Sequence, residues 1–300
     1  MPRISVIIPA HDAETTLATT VESARLAGAD EILVVDDGSR DGTRALARQL
    51  AGVRLIERDR AGGPGVARNA GLAASTGDFV VFLDSDDRMT PGSLTALGSA
   101  MTTGVVATLG RFLAVDENHE PIDIGTWASE QLRPVVRRRG HYVPSARGFS
   151  SEALVTRLVT PPPSGILVRR AAAVRIGGYD VALRRSEDID FLVRLSREGT
   201  LAAVNEVVVH YRRTPSQRSQ ATGARQRGRL RALGRMIWTA PTRRERWAMA
   251  RGAAAHYFDR AEVRWHGATT PRDRIIAVRS YFIGAVFRCL GAVATCRSTN

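Results

Sequence analysis

Four apolar runs in the first 83 residues, each followed by a turn or a cluster of small and acidic residues, constrain this chain more than any other feature. Ile4-Ser5-Val6-Ile7-Ile8-Pro9 is β-branched and continuous, as expected of a strand buried on both faces of a parallel sheet. Glu31 to Val35 and Phe79 to Leu83 also read as buried strands, and Val53 to Ile56 as a further strand. Helical patterns separate them. Leu17, Val21 and Ala24 share one helix face, with Asp12 placed to cap its start and Gly28 to end it. Residues 41–50 read as a second helix, and Ala67-Arg68-Asn69-Ala70 opens a third after the loop Ala61-Gly62-Gly63-Pro64-Gly65. Thr90-Pro91 supplies a capping hydroxyl and a first-turn proline for a fourth. Strands alternating with helices predict an α/β fold with a doubly wound, mostly parallel sheet. Ligands in such sheets bind beyond the carboxyl ends of the strands, and Asp36, Asp37, Asp84 and Asp86 all fall at such ends.

The rest of the chain is less regular. Residues 105–160 carry Pro121, Pro134, Pro144 and the basic cluster Arg137-Arg138-Arg139, and read as sheet extension plus a substrate-facing region. The loop Thr160-Pro161-Pro162-Pro163-Ser164-Gly165 precedes a strand at Ile166-Leu167-Val168, then a short helix running to Gly177-Gly178-Tyr179-Asp180. Ser186-Glu187-Asp188-Ile189-Asp190 leads into a helix carrying Leu192, Val193 and Leu195, and Val207 to Tyr211 reads as a strand. From about residue 217 the pattern is helical and basic.

Composition narrows the class. Three hundred residues suit one large α/β domain with a helical tail. The net charge is +13, all of the basic residues are arginines, and a dense Arg series fills residues 212–251. Such a surface suits phosphates, and a solvated helix face is the plain alternative. Cys289 and Cys296 are the only cysteines, which excludes a disulfide framework or a Cys-rich zinc site and fits a reducing cytoplasm. Ile4 to Ala10 is too short for a signal sequence core. Tyr281 to Ala294, interrupted by Arg288, falls short of the roughly 20 residues that span a bilayer. The expectation is a cytoplasmic protein, with the tail touching the inner face of a membrane.

Asp84-Ser85-Asp86 puts two carboxylates one residue apart just past a buried strand. That pattern suits a hard divalent cation bridging a diphosphate, and an acidic turn with Asp87 capping the next helix is the alternative. Asp36-Asp37-Gly38-Ser39 could accept hydrogen bonds from a ribose or a base, or could cap a helix. Arg68 and Asn69 combine a guanidinium with helix N-terminal amides, both suited to phosphate. Glu187-Asp188 offers a carboxylate for general-base work on a hydroxyl.

In order, Ser5 to Pro9, Val35 to Ser39, Gly65 to Gly71, Phe82 to Asp87 and Gly177 to Asp188 resemble the family 2 glycosyltransferases with the GT-A fold, over residues 3–213. The resemblance implies a Rossmann-like nucleotide-binding half at 1–104, an acceptor-binding half at 105–215, and a basic helical extension at 216–300. It implies that Pro9, Ala10 and His11 line the nucleobase pocket, and that Asp37, with Asp36, contacts the base or ribose. Arg68 should lie near the nucleotide, and Asp84 and Ser85 should face it. Asp86 should bind Mg²⁺ or Mn²⁺, and Asp188 should be the catalytic base of an inverting displacement. His210 is a candidate to complete the metal or diphosphate contacts, with a structural histidine as the alternative. The expected partners are a nucleotide-diphospho-sugar, UDP-linked, and a glycan or lipid-linked acceptor in envelope glycan or glycolipid synthesis. An anionic membrane surface would meet the tail, and nucleic acid is disfavoured by an aromatic content of 6%.

The chain departs from the family pattern at Ala10-His11-Asp12, where relatives often carry Tyr-Asn. Arg243-Arg244-Glu245-Arg246-Trp247 matches the polymer-gripping motif of processive members, but it lies 55 residues past Asp188 in an Arg-rich tail where chance matches are easy. Two rival functions fit the residues less well. A sugar-phosphate nucleotidyltransferase would carry a Gly-rich N-terminal loop with a basic residue, which Ile8-Pro9-Ala10-His11 lacks. A non-catalytic basic binding module would have no need of Asp84, Asp86 and Asp188 together.

Overall fold

The computed structural model describes residues 2–122, 162–183, 186–213 and, within the C-terminal region, 230, 232–243, 245–247, 249–251, 253–254, 257 and 282–287. The Arg137-Arg138-Arg139 cluster, both cysteines, Arg244 and much of the apolar run at 281–294 lie outside the described residues.

The chain begins with alternating strands and helices, as the sequence predicts. They are β1 (Ile4–Ala10), α1 (Leu17–Ala27), β2 (Glu31–Asp37), α2 (Thr43–Gln49), β3 (Val53–Arg58), α3 (Pro64–Ala74) and β4 (Phe79–Phe82). A two-residue strand, β5 (Arg88–Met89), and α4 (Ser93–Ser99) follow, then β6 (Val105–Val115). After a 3₁₀ turn at Pro163–Gly165 come β7 (Ile166–Arg169), α5 (Arg170–Arg175), α6 (Glu187–Leu195) and β8 (Thr200–Arg212).

The eight strands form one sheet in the order β3-β2-β1-β4-β7-β6-β8-β5. β1 pairs in parallel with β2 and β4, and β2 with β3, so Asp36 and Asp37 end β2 on the same edge as Ala10 of β1. From β7 outward the sheet is mixed. β7 runs antiparallel to both β4 and β6, β6 is parallel to β8, and β5 is antiparallel to β8. The expectation of a mostly parallel sheet therefore holds for the first half, and antiparallel strands extend it.

Both faces are covered, which explains the unbroken apolar runs. Along β1 and β2, Val6, Ile8, Ile32 and Val34 meet Leu17, Val21 and Ala24 of α1 and Leu94 and Leu97 of α4. The alternate residues Ile7, Leu33 and Val35 join Ala67 and Leu72 of α3 and Leu192 of α6. Each fully buried Leu or Ile contributes about 1.5–3 kcal/mol relative to exposure. Gly71 of α3 packs so closely on β1 that a Cβ there would lie 2.2 Å from Ile7 Cγ2. The described part of the C-terminal region is not a free solvated helix. Leu233, Met236, Ile237, Met249, Ala253 and Tyr257 are buried in the same core as α3 and α6.

Several expected caps are corrected. Asp12 does not cap α1, which starts after Thr16; Asp12 sits at φ +50° and its carboxylate accepts the Arg40 N–H. Thr90 does not cap α4, whose N-cap is Gly92; the Thr90 hydroxyl donates to the Val207 carbonyl instead. β8 is far longer than the predicted 207–211 because its first half pairs with β6 from Thr200 onward.

Candidate active site

The turn after β4 is held from three directions. The Asp84 N–H donates to Ser164 Oγ, the Ser164 hydroxyl donates to Asp87 Oδ2, and the Arg212 N–H donates to Asp87 Oδ1. Thr20 of α1 donates to the carbonyls of Ser85 and Asp87. Asp87 is thus a buried anchor of the acidic loop and not a helix cap, contrary to the alternative weighed from the sequence. Burial raises its carboxyl well above the ordinary range, and the charges of Asp84 and Asp86 push it further. Asp84, Ser85 and Asp86 are half-buried around it. A cation at this loop would relieve the repulsion that these acids impose on one another, so the donor set fits Mg²⁺ or Mn²⁺. Among the described residues no group of three or more His, Cys, Asp or Glu forms a metal cage by itself.

Arg68 enters from α3 and is only 4% exposed. Its Nη2 donates to Asp84 Oδ1 at 2.7 Å and its Nη1 to Glu187 Oε1 at 3.0 Å. The guanidinium carbon lies 5.0 Å from the centre of the Tyr179 ring, which stacks on Phe191. Burial works against the guanidinium charge, but Asp84, Tyr179 and Glu187 more than offset it and raise the pKa. Glu187 is pushed up by burial and then by Asp188, with Arg68 opposing. Asp188, half-buried, accepts the Ile189 N–H on Oδ1 at the start of α6. The structure therefore brings Arg68 and Asp84 together with the turn that carries Asp188.

Tyr179 owes its place to α3. Asn69 accepts the Tyr179 N–H at 2.7 Å and donates to the Tyr179 carbonyl at 2.8 Å. The preceding Gly178, at φ +67°, leaves room for this clamp, because a Cβ there would lie 2.3 Å from Asn69 Oδ1. Ser164, Tyr179 and Thr20 were missed as site residues by the sequence reading. Only the Gly-Gly-Tyr-Asp signature pointed near any of them.

The second acidic pair is less available than expected. Asp36 is fully buried, its carboxylate held by Arg44 Nε and the Ser39 N–H. Asp37 accepts the Gly62 and Gly63 N–H groups and pairs with Arg58. These acids fold the loops that border a cavity of about 660 Å³ lined by His11, Gly38, Ser39, Arg40, Arg60 and neighbours. Of the expected base-pocket residues, His11 lines this cavity, with Nδ1 2.9 Å from the Asp37 carbonyl; Pro9 and Ala10 end β1 behind it. His210 pairs opposite Arg88, next to the acidic loop, and its ring lies 5.5 Å from that of His119. Burial and Arg88 lower its pKa, so the neutral, ligand-competent form is favoured.

Comparisons with known proteins agree with this architecture. Residues 5–156 match the family described as Glycosyl transferase family 2. The chain is 29% identical over 217 residues to the pre-mycofactocin glycosyltransferase of Mycobacterium tuberculosis, covering 70% of this chain and 43% of that protein. It is 40% identical over 98 residues to the succinoglycan biosynthesis protein ExoO of Rhizobium meliloti, covering 31% and 28%. This chain thus spans less than half the length of either relative. Staphylococcus aureus TarS 1–349 in complex with UDP-GlcNAc superposes with a TM-score of 0.66 at 17% identity, covering 94% of this chain and 81% of that one. The strand-end acids, the Arg68 bridge and the matched residues lead to one assignment: the chain belongs to glycosyl transferase family 2.

Proposed function

We propose that this chain is an inverting glycosyltransferase that moves a sugar from a nucleotide-diphospho-sugar, UDP-linked, to an acceptor hydroxyl in envelope glycan or glycolipid synthesis. The observation that carries the reading is the Arg68 bridge, which ties donor-side Asp84 to the turn bearing Asp188. In this reading residues 1–104 hold the donor, 105–215 face the acceptor and 216–300 form the basic extension. The base and ribose occupy the cavity beside His11 and Ser39, with Pro9, Ala10, Asp36 and Asp37 supporting its walls. Asp86 would hold Mg²⁺ or Mn²⁺, with His210 as the further candidate contact. When bound, the ion neutralises charge on the departing nucleoside diphosphate.

Asp188 takes the proton from the acceptor hydroxyl as that oxygen bonds to the anomeric carbon. The bond from that carbon to the diphosphate oxygen breaks on the opposite face, and its electron pair leaves with the nucleoside diphosphate. The test is Asp188→Asn. It is expected to keep donor affinity in calorimetry while transfer falls by ~10²-fold or more. Retained turnover would move the base elsewhere.

A further inference from the structure

Glu187 has no role in the chemistry above, yet it is a carboxylate buried at the meeting point of the two halves. Its partner is the terminal nitrogen Nη1 of Arg68, whose other terminal nitrogen, Nη2, holds Asp84. Arg68 Nε has no hydrogen-bond partner, so the guanidinium is oriented by these two carboxylates and by the Tyr179 ring beneath it. Asp188 is the next residue along the chain and begins the same helix.

We propose that Glu187 is a positioning residue: by fixing Arg68 in a two-carboxylate grip, it sets Asp84 on the donor side and Asp188 on the acceptor side at a constant separation. The inference rests on the reading of Asp188 as the base. Its physical ground is the geometry of the guanidinium. A planar fork transmits the position of one carboxylate to the other, which a flexible point charge would not do. Stability alone is a poor explanation for such a group. Removing two charges from water costs several kcal/mol per ion, and apolar residues of the same volume often replace a buried ion pair without loss. The pair sits at the α3–α6 contact, 119 residues apart in sequence, where an apolar pair would seal the core equally well.

The test uses the full chain and the nucleotide sugar, from a panel of UDP-, GDP- and dTDP-sugars with Mn²⁺, that most raises the wild-type melting midpoint. Glu187→Gln, Arg68→Lys, the double variant and Asp188→Asn are compared by melting midpoint, by calorimetric affinity for the matching nucleoside diphosphate with Mn²⁺, and by kcat for release of that diphosphate. Glu187→Gln is expected to lower kcat by about tenfold while the melting midpoint holds and nucleotide affinity stays within about threefold of wild type. Arg68→Lys, which approaches the same link from its other end, is expected to lower kcat similarly. The double variant should fall no further than the slower single variant, within about twofold, because both substitutions break one link.

A melting midpoint that falls in step with the rate would overturn the proposal in favour of a merely structural role. Losses that multiply in the double variant would also overturn it, since Glu187 would then act independently of Arg68. A wild-type rate in both Glu187→Gln and Arg68→Lys, with Asp188→Asn inactive, would sink this inference alone. Turnover retained by Asp188→Asn would instead sink the reading on which it rests.

Discussion

At the scale of single residues, burial and charge assign different tasks to acids that look alike in sequence. Asp87 anchors the loop and Asp84 is gripped by Arg68, while the proposed function gives Asp86 the metal. Asp86→Ala is therefore expected to abolish the Mn²⁺-dependent part of UDP binding, and unchanged calorimetric affinity with and without Mn²⁺ would remove the assignment. Glu187 also yields a pH prediction. Burial, then the charge of Asp188, raises its carboxyl above the usual glutamate range, while Arg68 opposes. The folded chain thus binds this proton more tightly than the unfolded chain. The group's favourable contribution is complete below the unfolded value and is lost as pH rises through the folded one. Tyr179, Arg68 and Asp188 are the charged or titratable groups facing it. Gln at this position does not titrate, so the melting difference between Glu187→Gln and wild type should shift in the variant's favour as pH rises above the ordinary glutamate value of about 4.3. The opposite slope would mean that Arg68 outweighs burial.

At the scale of elements, the legible parts were those whose signal is local. β1, β2 and β4 are apolar runs that α1 and α4 cover on one face and α3 on the other, whereas β3 is a half-buried edge strand, and the acids that end β2 and follow β4 were readable for that reason. Caps were misread at Asp12 and Thr90 because each of these polar groups is taken by a distant partner: Arg40 and Val207. β5 has two residues, too few for any periodicity, and exists through its pairing with His210 and Val209. The role of Asn69 was likewise invisible, since its partner Tyr179 is 110 residues away. Asn69→Ala strips both backbone groups of Tyr179 of their partners. It is expected to lower stability by about 2 kcal/mol in denaturant unfolding, with a matching loss of donor turnover.

At the scale of the whole molecule, the basic C-terminal region divides into an inner and an outer face. Among its described residues several are core, while Trp238 at 70% exposure and Phe282 at 66% face solvent. Arg251 stacks over the Trp247 ring, 4.6 Å from its centre. No helix among the described residues is long and apolar enough to cross a membrane. Exposed aromatic and arginine side chains suit an interface with anionic headgroups, where each added Arg contributes about 1 kcal/mol. The full chain should co-sediment with phosphatidylglycerol vesicles, not with phosphatidylcholine vesicles, and should release as salt is raised. Equal recovery on both lipids, or on neither, would leave the outer face as a solvated surface.

The anchoring of Asp87 also has a consequence for biogenesis. Its two clamps come from residues 77 and 125 positions later in the chain. A ribosome therefore releases the acidic loop long before the strand that fastens it. The first four strands can pair while synthesis continues, but the acidic loop gains its last clamp only once β8 has joined the sheet. A nascent or truncated chain ending before residue 212 would carry every donor-side acid and still lack an assembled site.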